Sequence, residues 1–257
     1  MTRDGSSRVL GAVAATLIWL LADTACAYRP FSGTDADVAD VGEFELELGP
    51  LQFLHEAARN YLEAPATVLN LGILPRTELV VDFVGVIPLQ PLPGESSYSL
   101  RDTDLLLKLL CVRGSVQDAG AGPSVALEAG ALTPEIHDES GFGASANLIV
   151  SQRWQRFVVH VNSELELSRG ELVPIWTETV IGELHVHEKF WPVAELLWSR
   201  ELSTGASEYS ALAGAIWGVR EGLSLDAAAL IASVHGAWAI EARLGFTWAF
   251  QLWEQPS

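Results

Sequence analysis

Polar and apolar residues alternate strictly in several segments of this chain. Residues 43–49 read EFELELG, which places three carboxylates on one face and Phe44, Leu46 and Leu48 on the other. The same alternation recurs at residues 77–87, 103–111, 157–167 and 240–250. Successive side chains of a β-strand point to opposite faces, so a period of two is the period of a strand. The pattern therefore predicts amphipathic strands.

Turn-forming residues separate these segments, at 88–94, 114–122, 138–143 and 203–207. Predicted strands begin near residues 43, 61, 76, 101, 122, 143, 156, 171, 190, 209, 223 and 238. An even number suits a closed barrel of antiparallel strands, and segments of about 9–14 residues are long enough to cross a bilayer when tilted. The predicted fold class is all-β, a single antiparallel transmembrane β-barrel of about 12 strands, preceded by a cleaved signal peptide.

The N-terminus has the organisation of a secretory signal peptide. Arginines stand at positions 3 and 8, an apolar core follows at 9–22, and small residues fill 25–27. We expect cleavage between Ala27 and Tyr28; a retained anchor helix and a lipid-modified Cys26 are the alternatives. The predicted organisation is a signal peptide (1–27), an acidic N-terminal segment (28–42), an outer-membrane barrel (43–250) and a C-terminal extension (251–257).

The net charge of the chain limits the classes of partner that the protein could bind. The chain carries 33 acidic and 15 basic residues, a formal net charge of -18, and lacks the basic cluster that nucleic-acid binding requires. Strand parity puts most charged positions on one face, which we expect to face the lumen. Rings of carboxylates there would favour cations over anions, or would pair with the bases and close the lumen. The lumen candidates are Glu43, Glu45, Glu47, Glu78, Asp82, Asp104, Lys108, His160, Glu164, Glu166, Glu195, Glu241 and Arg243.

Aromatic residues support a membrane location. The chain has nine tryptophans, and Trp154, Trp191 and Trp253 fall near predicted strand ends, where indole rings favour the lipid headgroup zone. The last predicted strand carries aromatic residues at alternate positions, Phe246, Trp248 and Phe250. Such a strand is similar to the C-terminal signal read by the barrel-assembly machinery, although seven residues follow Phe250 here.

A search for catalytic and metal-binding patterns gives weak candidates. His160 and Ser163 fall on opposite faces of one strand, so they cannot pair within it as the serine and histidine of an esterase would; a pairing across two strands is the alternative. His185 and His187 share a face and could chelate a metal together with Glu183, but polar lumen or rim residues explain them more simply. We predict no enzyme activity, no cofactor and no metal.

Short motifs resemble a known family, the outer-membrane barrels named for the MetA pathway of phenol degradation, which are described as transporters. The resemblance spans about residues 29–250 and rests on Arg29-Pro30-Phe31, Thr34-Asp35, Asp37, Glu43 to Glu47, Asn70, Arg76 to Leu79, Asp102-Thr103, Lys108, Ser151 to Trp154 and Pro192 to Leu196. It implies a transmembrane barrel and supplies no catalytic residues.

These observations lead to one leading hypothesis and two alternatives. The leading one is a porin-like passive transporter of small-molecule solutes in the bacterial outer membrane, surrounded by lipid and inserted by the barrel-assembly machinery. The first alternative is a sealed structural or adhesion barrel. The second is a soluble periplasmic barrel that binds an apolar ligand, as lipocalins do.

Overall fold

The computed structural model describes residues 29–234 and 236–253, so the predicted signal peptide and its cleavage site at Ala27 and Tyr28 lie outside the described residues. Within the described ranges, regular structure consists of 13 β-segments. In chain order they are β1 (Glu43–Gly49), β2 (Gln52–Glu56), β3 (Arg59–Leu74), β4 (Thr77–Pro88), β5 (Ser99–Val112), β6 (Ser124–Leu132), β7 (Gly143–Trp154), β8 (Phe157–Leu167), β9 (Pro174–Leu184), β10 (Phe190–Glu201), β11 (Ser207–Arg220), β12 (Leu223–Val234) and β13 (Ala237–Gln251).

The segments form one closed antiparallel barrel. β3 to β13 pair each with the next, and β1 and β2 both pair with β3 on one side and β13 on the other. β1 and β2 are therefore two halves of a single wall strand, which makes twelve strands out of the 13 segments. The wall strand breaks at Pro50, and proline interrupts a ladder because it has no N–H group to donate. The predicted fold class, an all-β barrel of about 12 strands, is confirmed.

The outer face of the barrel is apolar. Leu107 on β5, Leu196 on β10 and Leu244 on β13 expose 50%, 64% and 58% of their surface, although all three lie near the middle of their strands. A monomeric soluble protein rarely exposes so continuous an apolar surface. Among the described residues, no helix has the length and apolar character needed to span a bilayer.

Aromatic side chains lie on the outer face near both ends of the strands. One group comprises Trp154, Phe157, Phe190, Trp217 and Trp248, and the other comprises Trp176, Trp198, Tyr209 and Trp238. Trp191 differs from the expectation. It pairs in register with Ile216, which is 1% exposed, and its ring lies 5.0 Å from that of His185. Trp191 thus faces the interior rather than the headgroup zone.

The two rims of the barrel differ in the length of their connections. The terminal rim, where β1 begins and β13 ends, is formed by residues 75–76, 113–123, 155–156, 185–189 and 221–222. The distal rim is formed by residues 57–58, 89–98, 133–142, 168–173 and 202–206, together with the connection between β12 and β13. Longer connections therefore concentrate on the distal rim, with residues 113–123 as the exception.

Candidate functional site

The inner wall of the barrel carries the charged residues. Register shows which residues share a face: Glu78 pairs with Lys108 and Lys108 with Glu128, so all three side chains point the same way. Lys108 is 1% exposed on a strand whose alternate leucines are exposed, which identifies this face as the interior. By the same register, the structure places all thirteen lumen candidates on the inner face: Glu43, Glu45, Glu47, Glu78, Asp82, Asp104, Lys108, His160, Glu164, Glu166, Glu195, Glu241 and Arg243.

The acidic segment before β1 crosses the lumen. We call residues 29–42 the plug. Its backbone N–H groups donate to side chains on strands around the barrel: Arg29 to Glu47 on β1 (3.0 Å), Ala36 to Ser151 on β7 (2.8 Å) and Ala39 to Glu78 on β4 (2.5 Å). Ala36 is completely buried and packs against Ala126 and Ile149. The plug therefore satisfies its backbone with the wall's polar side chains instead of with a strand.

Two residues of the wall hold the middle of the plug. The Asn162 side chain accepts the N–H of Thr34 at 2.8 Å and donates to the Thr34 carbonyl at 2.7 Å. The Glu195 carboxylate accepts the N–H groups of Ser32 at 2.8 Å and Gly33 at 3.1 Å. Hydrogen bonds of N–H groups to a carboxylate are stronger than those between neutral groups. These contacts join the plug to β8 and β10, on the side of the barrel opposite β1.

Arg29 anchors the first residue of the plug. Its guanidinium donates to Gln52 at 2.8 Å and lies 3.4 Å from the Asp226 carboxylate. Two inward-facing glycines leave room for it. A Cβ added at Gly245 would lie 2.2 Å from Arg29 Nε, and one at Gly49 would lie 2.8 Å from its terminal nitrogens. Side chains at these two wall positions would displace the arginine, so the wall is shaped around it.

The centre of the barrel combines the plug with buried charges. Lys108 lies 3.9 Å from Asp35 of the plug and 4.0 Å from Glu78, and its Nζ donates to the Thr34 hydroxyl. The plug also brings a second carboxylate into the interior, that of Asp37. Burial, with the neighbouring Asp35 charge adding to it, raises the pKa of Asp37 above its ordinary value. The plug therefore contributes both a partner for Lys108 and a carboxyl group that resists ionisation.

A chamber of about 430 Å³ lies against the plug within the barrel. Lys108, Arg29 and Arg243 are the cationic residues of its lining, and ten residues supply carboxylates. These are Glu47, Glu63, Glu78, Asp82, Asp102, Asp104, Glu128, Glu164, Glu166 and Glu241. Five of them, Glu63, Asp102, Asp104, Glu164 and Glu166, belong to the distal halves of β3, β5 and β8, so much of the acidic wall of the chamber lies toward the distal rim. Electrostatics of this sign favour cationic solutes.

One arrangement in the interior resembles the parts of a hydrolase. The Ser151 hydroxyl lies 2.8 Å from His160 Nδ1, and His160 Nε2 lies 3.4 Å from the Glu183 carboxylate. Ser151, however, is fully buried and its oxygen accepts the N–H of Ala36. A nucleophilic hydroxyl needs an oxygen that can reach a substrate, and this one holds the plug. His160 pairs with Ser151 on the neighbouring strand, whereas Ser163 faces outward and donates to Glu178.

The histidines at the terminal rim do not share a ligand. His185 Nε2 lies 3.1 Å from Glu183, whereas His187 Nδ1 accepts the backbone N–H of Lys189 in the turn that follows. Across the described ranges, no group of three or more histidine, cysteine, aspartate or glutamate side chains has the geometry of a metal site. The hypothetical chelate of His185, His187 and Glu183 is therefore not formed in this structure.

The residues of the predicted assembly signal close the barrel. Phe246, Trp248 and Phe250 lie on the outer face of β13, where they pair in register with Leu48, Leu46 and Phe44 of β1. Phe250 contacts Phe44 edge to face, with ring centroids 5.4 Å apart, and lies 4.9 Å from Trp248. β13 ends at Gln251, one residue beyond the predicted end of the barrel, and Gln251 pairs with Glu43. The aromatic strand thus forms one side of the closing seam.

Sequence reasoning did not identify several residues that hold the plug. Arg29, Gln52, Ser151 and Gly245 were not among the candidates, because none is remarkable in composition or spacing. A signal was present in the inward positions of glycine, since a missing side chain on a crowded inner wall indicates a close neighbour. Asn162 lies in the alternating segment 157–167, where parity with His160 and Glu164 places it on the inner face, but its partner lies 128 residues away and no pattern links the two.

Comparison with solved structures places this fold among outer-membrane channels. The COG4313 outer membrane channel of Pseudomonas putida F1 superposes with a TM-score of 0.59 at 9% identity, covering 86% of this chain and 100% of that chain. The KdgM porin superposes with a TM-score of 0.55 at 7% identity, covering 81% and 99%. No protein-family model and no curated protein matches the sequence. At such low identity the likeness concerns architecture, and the chain has the fold of an outer-membrane β-barrel channel.

Proposed function

We propose that this protein is a porin-like passive transporter that lets small solutes cross the bacterial outer membrane through its lumen. The observation that carries the proposal is the distribution of polarity across the wall. Leucines on the outer face expose about half of their surface, as Leu105 (48%) and Leu109 (46%) do, while the neighbouring Lys108 is buried inside. This is the reverse of a soluble calyx, which presents polar residues to water and apolar residues to its ligand.

The orientation in the membrane follows from the rims. Bacterial barrels have short periplasmic turns and longer extracellular loops. We therefore place the terminal rim in the periplasm and the distal rim, with the acidic side of the chamber, outside the cell. In this orientation the barrel-assembly machinery would receive the aromatic strand β13 from the periplasmic side, as the assembly-signal prediction requires.

The plug defines how the proposed passage works. Because residues 29–42 cross the lumen, a solute can pass only beside the plug or after the plug has moved. The same observation favours a second candidate, a sealed structural barrel whose plug never leaves. The two candidates have the same fold and the same membrane location, and they differ in whether the protein conducts.

The interior supports transport without covalent chemistry. The Ser151 hydroxyl, which could otherwise act with His160 and Glu183, is bonded to the plug. We accordingly propose no catalytic role and no cofactor.

Membership of the family named for the MetA pathway of phenol degradation is also proposed. It is supported by the short motifs from Arg29 to Leu196. If the family assignment is right, an alignment of close homologues of this chain should show those motifs as conserved positions.

Single-channel recording tests the proposed function. The mature chain, refolded in detergent, is inserted into planar bilayers, and conductance and reversal potential are measured under a salt gradient. Discrete steps with cation selectivity are expected from the acidic lumen. A silent wild type together with a silent variant of weakened plug would support the sealed barrel. Protein that remains folded and monodisperse without detergent would overturn the membrane location itself.

A further inference from the structure

We infer that the chamber binds aliphatic polyamines, solutes that carry several ammonium groups on a flexible methylene chain. The inference deepens the proposed function by naming a class of solute, and its transport aspect rests on that proposal. Three independent features of the chamber carry it: carboxylates without a cationic partner, aliphatic side chains interleaved with them, and a buried amide oxygen that lacks a donor.

The first feature is the arrangement of carboxylates. Asp82 on β4 stands directly opposite Asp104 on β5, and like charges opposite each other across two strands are unfavourable. Asp104 is paired with Arg169 at 2.5 Å, whereas the ion pairs of the described residues give no lysine or arginine to Asp82 or to Glu164. Positive charge brought by a solute would relieve this repulsion.

The second feature distinguishes an organic cation from a bare metal ion. Val80 and Val84 flank Asp82 on the inner face of β4, and Val68 stands opposite Asp82 on β3. Leu106 follows Asp104 on β5 and lines the same chamber. Aliphatic side chains offer nothing to a hydrated Mg²⁺ ion but gain contact and buried apolar area against methylene groups. The interleaving therefore matches a chain in which charges alternate with short hydrocarbon spacers.

The third feature is the side chain of Asn147. It lies on β7 in register between Glu128 on β6 and Glu164 on β8, and it is 7% exposed. Its amide nitrogen donates to Asn162 at 3.3 Å, but its oxygen has no hydrogen-bond partner although it is buried beside the chamber. A buried acceptor without a donor costs free energy. A primary ammonium group supplies the missing N–H, whereas a quaternary ammonium has none to give. An amide oxygen can also coordinate a hard cation, so the argument against a metal ion rests on the aliphatic side chains of the lining.

The lining also argues against quaternary ammonium compounds. Their recognition uses several aromatic faces around the cation. Within the described residues, Phe31 of the plug is the one aromatic side chain of the chamber lining. The chamber volume of about 430 Å³ is within the usual range of small-molecule sites, so a molecule of the size of spermidine fits.

Equilibrium binding tests the inference without relying on conduction. Spermidine, Mg²⁺ and tetramethylammonium are titrated into the refolded protein by calorimetry at one fixed, low ionic strength, because screening changes all charge effects. We expect spermidine to bind at least about tenfold more tightly than the other two. Asp82→Asn and Asn147→Leu should each weaken spermidine binding about tenfold, since the first removes the negative charge that strengthens a hydrogen bond to an ammonium group and the second removes the acceptor. Glu188→Gln, at an exposed position on the terminal rim, should leave binding unchanged.

Two results would overturn the inference. One is equal affinity for Mg²⁺ or tetramethylammonium, which would show charge attraction without recognition. The other is unchanged spermidine affinity in both chamber variants. Gel mobility before and after heating shows whether each variant is folded. A further variant, Val84→Ser, changes the aliphatic lining only mildly, and it should lower the affinity for spermidine while leaving the affinity for Mg²⁺ unchanged. A conducting channel without spermidine binding refutes this inference alone, whereas binding without conduction refutes the proposed transport and leaves the site.

Discussion

Asn162 and Thr34 exchange two hydrogen bonds, one to and one from the Thr34 backbone, at 2.8 and 2.7 Å. The amide side chain on the barrel wall thereby pairs with the plug as a strand residue would pair with its neighbour. An amide side chain carries a donor and an acceptor side by side, as this pairing requires, and glutamine, the other amide residue, is longer. The relationship links the position of the plug to a single residue of β8.

Replacing Asn162 with alanine should open the lumen. The change removes both hydrogen bonds to Thr34, and two such bonds are worth about 2 kcal/mol together, or roughly a thirtyfold shift toward the displaced plug. Single-channel recording should then show a higher conductance or longer open times than in the wild type. Asn60→Ala is the matched control, because Asn60 bonds to His55 near the distal rim at 2.7 Å. Equal conductance of wild type and Asn162→Ala would contradict a role of this pair in closing the lumen.

The strands were predictable from the sequence because alternation is a local property. Each predicted strand start lies within three residues of an observed one, and the inward position of residues such as Glu164 followed from parity alone. The second half of the first wall strand, Gln52–Glu56, was not predicted, because Pro50 ends the alternation of residues 43–49 and QFLHE does not continue it. Trp191 was misassigned because a tryptophan near a strand end can face either side, and parity with Ile216 decided it.

The path of the plug could not be predicted in the same way. Several of its contacts join residues that are far apart in the sequence: Ala36 and Ser151 are 115 positions apart, and Ser32 and Glu195 are 163 positions apart. No periodicity relates such pairs, because the plug has no regular structure of its own between its anchoring points. The chamber is therefore only partly predictable from the sequence. Its acidic wall follows from the strand pattern, but its boundary on the plug side depends on these long-range contacts.

Arginine at position 107 should destabilise the barrel. Leu107 lies on the outer face in the middle of β5, and a charged side chain near the bilayer midplane costs about 2–4 kcal/mol. Glu164→Arg is the contrasting change and should be tolerated. Glu164 lines the acidic chamber, so an arginine at this position would lie among carboxylates. Urea unfolding of the protein in lipid vesicles, followed by tryptophan fluorescence, measures both. If Glu164→Arg unfolded the barrel and Leu107→Arg did not, the assignment of inside and outside would be reversed.

Mild acid should strengthen the docking of the plug. Burial and the Asp35 charge raise the pKa of Asp37 in the docked plug above its ordinary value. A raised pKa means that the docked state binds the proton more tightly than the released state does. Docking is therefore penalised at a pH above the docked pKa, and the penalty shrinks as the pH falls from the docked pKa toward the ordinary value of 3.8. Channel open probability should therefore decrease when it is measured from neutral pH down to about pH 4.

Asp37→Asn isolates that contribution from those of the other titrating groups. The asparagine is neutral at every pH, so its channel should stay closed more of the time at about pH 8 and respond less to acid than the wild type. Gln117, which donates to the Asp37 carboxylate at 3.1 Å, can donate equally to an amide oxygen. An identical pH response in both proteins would assign the effect to other groups of the lumen.

Phe250→Ala should slow the formation of the barrel. Phe250 packs against Phe44 across the seam where β13 meets β1, and it stands last in the row of outward aromatics on β13. Losing it weakens the closing contact, because an aromatic pair contributes about 0.5–1.5 kcal/mol beyond its buried area. It also removes an aromatic residue from the strand that is similar to an assembly signal. Phe157→Ala is the control, since Phe157 is an outward aromatic stacked on Trp154 far from the seam.

Folding rates distinguish the two contributions of Phe250. The appearance of the folded, heat-modifiable band on a gel is followed in plain lipid vesicles and in vesicles that contain the barrel-assembly machinery. A seam effect slows Phe250→Ala in both preparations, whereas loss of a recognition signal slows it only where the machinery is present. Equal rates for Phe250→Ala and Phe157→Ala in both preparations would mean that Phe250 has neither role, and closure of the seam would then depend on the remaining pairs between β13 and β1.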